Sequence, residues 1–248
     1  MTPQVFKIFI AISTYSILIP LIVYLKNVKK FPRANHLIGM YVIMALICDA
    51  FVNILFYRGQ HTVMPMNVYY IFTFVLTSLF YYELIFRKRL RYAIYIGSAV
   101  YSLFLILRFL SDPFEEIQSM LWAIEGLIVG SYGIIYIANL HDMVVERLLD
   151  KNLHSYQIIN ASFIFYFLTT IMLFVCTEYV LTETDPDIRR IFWSFHNIAN
   201  TIKNIGLAIG LYYTGRRDEK TALLEIEKIG RERAGEEYEP LWAKSFKK

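Results

Sequence analysis

A polar segment inside an otherwise apolar run constrains this chain more than any other feature. Residues Ile191 to Asn204 read IFWSFHNIANTIKN, and they lie within a largely apolar stretch, Ile188 to Tyr213, that is long enough to cross a bilayer. Hydrocarbon offers no hydrogen-bond partners, so a helix facing lipid cannot carry this many polar groups. We therefore expect the rest of the chain to surround this segment with protein.

Six further apolar runs precede this segment, each of roughly 20 residues, the length needed to span a hydrocarbon core about 30 Å thick. The chain is 56% hydrophobic, whereas soluble domains are about 45–50% apolar. The sequence therefore predicts an all-α membrane protein with a seven-transmembrane-helix bundle. The expected spans are Val5–Leu25, with a kink at Pro20, His36–Tyr57, Met66–Phe86, Tyr92–Leu110, Glu115–Leu140, Tyr156–Leu181 and Ile188–Tyr213.

The distribution of basic residues predicts the orientation of the bundle. With Lys203 set aside, 19 Lys and Arg residues fall on one face of the predicted topology and five on the other. Because cytoplasmic loops collect Lys and Arg, the basic face is expected inside, with the amino terminus outside and the carboxyl terminus cytoplasmic. This arrangement explains the net charge of +4 without a nucleic-acid partner, and it predicts a multi-pass protein of the cell membrane.

The composition changes sharply after Gly215, which divides the chain into a transmembrane domain, residues 1–215, and a cytoplasmic tail, residues 216–248. Within the tail, residues 218–234 form a pattern typical of a short amphipathic helix, with Leu223, Ile226 and Ile229 on one face. Such a helix can lie on the lipid bilayer or dock to a cytoplasmic protein partner. A homo-oligomer is a further possibility that the sequence leaves open.

Three ionisable residues are predicted to share one depth in the membrane. Lys203, Asp49 and Glu125 each fall near the middle of their own span, and each costs about 2.5–3.5 kcal/mol at the bilayer centre if it faces lipid alone. The most economical arrangement pairs Lys203 with Asp49 or Glu125 inside the bundle. Two carboxylates against one lysine leave one carboxylate without a counter-charge, which favours a functional site over a purely structural ion pair.

Further polar residues are expected around this charged core. Asn53, Asn200 and Asn204 are candidates for additional hydrogen bonds, and His196 lies about two turns from Lys203 on the same helix. His196 is either a satisfied interior histidine or a group that gates or contacts a ligand. The predicted ligand or proton site comprises Lys203, Asp49, Glu125, Asn200, Asn204, His196 and Asn53.

No enzymatic or metal-binding pattern is evident in the sequence. Cys48 and Cys176 lie in hydrophobic runs, and no His-x-x-x-His or Cys/His ligand spacing occurs. A phosphate-binding glycine-rich loop, a Gly-x-Ser-x-Gly elbow and a dinucleotide-binding fingerprint are also missing. The sequence therefore predicts no catalytic residues, no metal and no cofactor, with one alternative.

That alternative follows from a lysine midway along the seventh of seven helices in a protein whose amino terminus is outside. This architecture resembles that of microbial rhodopsins, and the resemblance implies that Lys203 carries retinal as a Schiff base with a carboxylate on the third helix as counterion. The third predicted helix, MNVYYIFTFVLTSLFYYE, has no carboxylate at mid-membrane, and the sixth lacks the tryptophan and proline that usually enclose the retinal ring.

The function predicted from the sequence is that of a receptor-like sensor. Its polar midplane site would bind a ligand or proton, and it would signal through a separate cytoplasmic partner because no output domain is attached. The first alternative is a small-solute or proton-coupled transporter, and the second is the retinal-binding protein using Lys203. A structural subunit, whose charges only specify helix packing, is a further hypothesis.

Overall fold

The computed structural model describes residues 2–111, 119–142, 152–183 and 185–214, together with residues 224, 227 and 228. Within residues 2–214 of this set, the regular elements are all helical, so the predicted all-α class is confirmed for this part of the chain. They are α1 (Pro3–Ser16), α2 (Leu18–Asn27), a 3₁₀ turn (Val28–Lys30), α3 (Arg33–Tyr57), α4 (Val63–Leu84), α5 (Lys88–Ser111), α6 (Ser119–Asp142), α7 (Leu153–Glu183) and α8 (Pro186–Tyr213).

Six stretches of these helices are long and apolar enough to cross a membrane. The first, Gln4–Lys30, covers α1 and α2, and the other five lie in α3 to α7. Their number and composition are compatible with a polytopic membrane protein. The helix α8 is not among the six, so a seventh crossing, the orientation of the bundle and the tail helix remain predictions.

The first predicted span contains the expected break. Helix α1 ends at Ser16 and α2 begins at Leu18, and Pro20 follows one turn after Ser16. Proline has no N–H group, so the carbonyl of Ser16 loses the donor that a continuous helix would provide four residues later. The Leu21 N–H donates to the Ile17 carbonyl at 3.4 Å, which resumes the helical pattern immediately after the break.

Several predicted boundaries differ from the observed ones, among them the starts of α5 and α8. The basic residues Lys88, Arg89 and Arg91 were expected in a loop, but α5 already begins at Lys88. Helix α8 begins at Pro186, since the Asp185 side chain accepts a hydrogen bond from the Asp187 N–H at 2.8 Å and caps the first turn. The predicted start of the fifth span, at residue 115, lies outside the described residues, as does most of the tail.

Helix α8 lies at the edge of the described bundle, where it packs against α7, α1 and α2. The expectation that protein would surround this helix is therefore wrong. One outward stripe of α8 is apolar and exposed, and it consists of Ile191, Phe195, Ile198, Ile202, Ile205, Ile209 and Tyr212. The spacing of three and four residues keeps this stripe on one face. The polar residues between Ser194 and Asn204 can therefore point inward although protein does not surround the helix.

Small residues on α8 allow close approach to α7. A Cβ atom added at Gly210 would lie 2.5 Å from Ile159 Cγ1 and 3.1 Å from the backbone oxygen of Ser155. A Cβ atom at Gly206 would collide with the Ser162 side chain. The Gly206 and Gly210 pair therefore serves helix packing, a common role of small residues four apart in a membrane helix.

Replacing Gly210 with alanine should destabilise the protein, because its new methyl group meets a backbone atom of α7 that cannot rotate away. We expect a loss of about 1–3 kcal/mol, the usual cost of overpacking a close contact. The measurement is thermal or denaturant unfolding in detergent micelles. Gly97→Ala is the matched control, since its Cβ would lie 3.7 Å from the Tyr132 hydroxyl. Equal stability of the two variants would contradict the packing role of Gly210.

Candidate functional site

The ammonium group of Lys203 is buried and held by aromatic residues. Lys203 is 2% exposed, and its Nζ donates a hydrogen bond to the Tyr41 hydroxyl at 2.8 Å. The same nitrogen lies 4.3 Å from the centroid of the Tyr166 ring and 5.1 Å from that of the Tyr41 ring. A cation at 4.3 Å is attracted by the negative face of the Tyr166 ring, whereas Tyr41 contacts Lys203 through its hydroxyl group. One hydroxyl and one ring therefore replace water that Lys203 has lost.

The predicted direct ion pair of Lys203 with Asp49 or Glu125 is not formed in the described part of the chain, where no carboxylate oxygen lies within 4.0 Å of Lys203 Nζ. The physical reason lies on α3. Tyr41 precedes Asp49 by eight residues, which is about 12 Å of helical rise, and the lysine side chain extends to the tyrosine. Asp49 still interacts with Lys203 electrostatically, over a longer distance.

Glu125 on α6 is buried beside a small cavity. Its side chain is 3% exposed, and it lines a cavity of about 10 Å³ together with Asn67, Tyr70 and Trp122. Among the described residues, no hydrogen bond or ion pair joins the Glu125 carboxyl group to another side chain. A volume of this size admits about one water molecule, which is the kind of partner that a buried carboxyl group requires.

Tyrosines connect the Lys203 side of this region with the Glu125 side. Tyr69 lies beside Tyr41 and Tyr70 lies beside Tyr166, close enough for each pair to interact. The Tyr70 ring also stacks on Trp122 with a centroid distance of 4.1 Å, and Glu125 interacts electrostatically with Tyr41 and Tyr166. Lys203, Asp49 and Glu125 therefore belong to one region that is bridged by phenol groups. We call Tyr41, Tyr69, Tyr70 and Tyr166 the tyrosine cluster.

The sequence did not single out this tyrosine cluster as part of the site. The chain has 19 tyrosines, and aromatic residues in membrane helices commonly serve the core or the interface. The sequence analysis gave no role to Tyr41 or Tyr166. The only available signal was the position of Tyr41, which lies two turns before Asp49 and on the same side of α3.

The asparagines predicted beside the charged core serve a different contact. Asn200 Nδ2 donates to Ser13 Oγ at 2.9 Å, and Asn204 Nδ2 donates to Ser16 Oγ at 2.8 Å. Both bonds fasten α8 to α1, so neither asparagine supplies the predicted hydrogen bond to the carboxylates. Asn53 is exposed on α3, and it makes no hydrogen bond to Lys203.

His196 occupies an aromatic pocket next to the tyrosine cluster. Its ring lies 5.9 Å from Tyr166, 5.8 Å from Phe174 and 5.8 Å from Trp193, measured between centroids. Its Nδ1 atom is buried and has no hydrogen-bond partner among the described residues. The interpretation of His196 as a satisfied interior histidine is therefore not supported at this nitrogen. Its predicted role in ligand binding or gating remains open.

The retinal alternative would place a Schiff base at Lys203 Nζ, and it stays a prediction. This nitrogen is in hydrogen-bond contact with Tyr41, and the ring of Tyr166 covers another side at 4.3 Å. Within the described ranges, no group of three or more His, Cys, Asp or Glu side chains is placed to hold a metal ion.

Known proteins offer no guide to this arrangement. Comparison of the chain with protein-family models, with curated proteins and with solved structures finds no match. The described fold and its apolar helices are therefore compatible with the class of polytopic membrane proteins. The function has to be inferred from the buried side chains.

Removing the Tyr41 hydroxyl should destabilise the bundle. Tyr41→Phe keeps the ring in the core but leaves the ammonium group without its direct hydrogen bond, and a bond to a charged group contributes about 1.5–3 kcal/mol. The measurement is the free energy of unfolding in detergent. Tyr95→Phe, at an exposed tyrosine on α5, is the control. A Tyr41→Phe protein as stable as the control would show that the hydroxyl does not stabilise Lys203.

The contact between α1 and α8 can be measured by a double-mutant cycle. Changing Asn204 and Ser16 to alanine, singly and together, should give a coupling energy of about 0.6 kcal/mol and at most about 1.7 kcal/mol, the range for hydrogen bonds between membrane helices. The same cycle between Asn204 and Ser131, an exposed serine on α6, should give none. Equal coupling in the two cycles would contradict a direct contribution of this hydrogen bond.

Proposed function

We propose that this chain is a receptor-like sensor that crosses the cell membrane seven times and responds to a proton or a small polar ligand at the Lys203 site. The observation that carries the proposal is a buried cation whose direct contacts are the neutral hydroxyl of Tyr41 and the aromatic ring of Tyr166. Charges inside a membrane are costly and mark functional sites more often than structural ones. A buried lysine without a contacting carboxylate also adds little to the stability of the fold, and a hydrophobic side chain of similar size would serve as well.

Neutral partners make the site responsive. Tyr41 and Tyr166 stabilise the ammonium group, but they carry no opposite charge that would fix its position as a contacting carboxylate would. A ligand with an anionic group, or a proton on Asp49 or Glu125, would therefore change the balance of forces on Lys203. A sensor needs such a balance, because a ligand shifts the equilibrium between two conformations only if it interacts differently with each of them.

A route from the site to the tail is available along α8. Thr214 follows the last residue of α8, eleven residues after Lys203. Its hydroxyl oxygen accepts a hydrogen bond from Asn35 Nδ2 at 2.7 Å, and Ser155 Oγ lies within 3.2 Å of both residues. Movement of α8 would thus strain a buried contact with α3 and α7 where the tail begins, and it would alter how residues 218–234 meet a cytoplasmic partner.

A proton-coupled transporter is the second candidate, and Glu125 is the observation that favours it. A buried carboxyl group without a side-chain partner, next to space for one water molecule, has the features of a proton-carrying group. In this case Glu125, rather than Lys203, would change protonation during transport. Access to Glu125 from both sides of the membrane would be required.

The test of the sensor uses protons as the probe and fluorescence near the tail as the readout. A fluorophore is attached to Leu224→Cys in a variant that carries Cys48→Ser and Cys176→Ser, and the protein is reconstituted in nanodiscs. Between about pH 5 and pH 9, where carboxyl, imidazole and ammonium groups with shifted pKa values titrate, the signal should change reversibly. Lys203→Met should remain folded, because methionine fills a similar volume, and it should abolish this change.

The control is Lys7→Met, at an exposed lysine on α1, which should leave the fluorescence change intact. An unchanged response in Lys203→Met would contradict the sensor. Proteoliposomes with an internal pH indicator distinguish the transporter from the sensor. Only a transporter would give a proton flux, and Glu125→Gln should abolish it. A folded double variant, Lys203→Met with Asp49→Leu, that retains every measured response would show that the charges serve packing alone.

A further inference from the structure

A second, lipid-facing cavity lies between α4 and α5, away from Lys203. It measures about 230 Å³, and its lining includes Ser78, Tyr82, Tyr95, Ser98 and Ala99. This volume is smaller than the roughly 300–1,000 Å³ typical of a complete small-molecule site. The cavity therefore suits one segment of a longer molecule, and it opens at the outside of the bundle, where Tyr95 and Ala99 are exposed.

One residue that lines this cavity has a buried hydroxyl group without a partner among the described residues. Ser78 is 3% exposed, it lines the cavity, and its Oγ has no hydrogen-bond partner among the described residues. Ser98, across from it on α5, is already hydrogen-bonded to the Tyr132 hydroxyl at 2.9 Å. A buried hydroxyl group usually has a partner, so an occupant that offers an acceptor oxygen would complete this site.

One end of the cavity is strongly basic. The Arg91 guanidinium carbon lies 4.1 Å from the centroid of the Tyr82 ring, which lines the cavity. The Nε atom of Arg91 is buried without a partner among the described residues, and Lys88 and Arg89 lie on the same end of α5. An occupant whose head carries negative charge is therefore favoured at this end.

We propose that the groove between α4 and α5 binds an anionic phospholipid. Its phosphate would lie at Arg91, and an ester carbonyl oxygen would accept a hydrogen bond from Ser78. The acyl chain would continue along the outward face of α5, where Ile96 and Val100 are 58% and 63% exposed. Phospholipid supplies the three required parts in this order, namely an anionic head, acceptor oxygens without donors, and a long apolar chain.

The probe is a vesicle of phosphatidylglycerol and phosphatidylcholine in equal amounts. The protein is reconstituted, extracted in mild detergent and examined by native mass spectrometry, which counts retained lipids of each kind. The wild-type chain should retain phosphatidylglycerol in preference to phosphatidylcholine. Arg91→Gln should reduce this retention about fivefold, whereas Lys26→Gln, at an exposed lysine on α2, should not. Equal retention of the two lipids by the wild-type chain would overturn the proposal.

Filling the groove provides an independent test. Ala99→Trp places a large ring in the cavity and should abolish retention, while Ala93→Trp, also exposed on α5 but outside the cavity lining, should not. If Ala99→Trp fails to fold, Ser78→Ala replaces it, since this change removes only the hydroxyl group. Retention equal to that of Ala93→Trp in the variant that folds would overturn the proposal.

Discussion

The burial of one ammonium group is the constraint on which the candidate site depends. A lysine at the centre of a membrane costs about 2.5–3.5 kcal/mol on insertion scales. A hydrogen bond to a charged group contributes about 1.5–3 kcal/mol, and a desolvated cation over an aromatic ring about 2 kcal/mol. Tyr41 and Tyr166 supply both contacts at Lys203, so neutral aromatic residues can offset the cost without a carboxylate at contact distance.

The same constraint explains the form of α8. Its polar residues face α1, α7 and the tyrosine cluster, while its exposed stripe is apolar along its whole length. Asn200 and Asn204 bind the serines that lie just before the break at Pro20. Because α1 is interrupted there, it presents Ser13 and Ser16 to α8 at the place where α8 needs acceptors. The contact between α1 and α8 thus involves both the region of the helix break and the two asparagines.

The sequence was sufficient for the helical class and for the kink at Pro20. Each of these follows from local composition or from a single backbone property. The partners of Lys203, Asn200 and Asn204 could not be predicted, because every helix offers several hydrogen-bonding groups at a similar depth. Opposite charge made Asp49 and Glu125 the obvious candidates, yet the side-chain reach of Lys203 and the rotation of α3 favour Tyr41, a neutral residue that hydropathy analysis does not distinguish.

The separation of the charges also bears on mechanism. A contacting ion pair between Lys203 and Asp49 would bind each group tightly, and a ligand would then have to break it. Here Asp49 acts on Lys203 from a distance, and Glu125 lies beside its own small cavity. The phenol groups between them can donate and accept hydrogen bonds, so a change at one charge can alter the hydrogen bonds at the other. A tyrosine-bridged site of this kind would suit the proposed sensor better than a closed ion pair, because phenol groups can exchange hydrogen-bond partners.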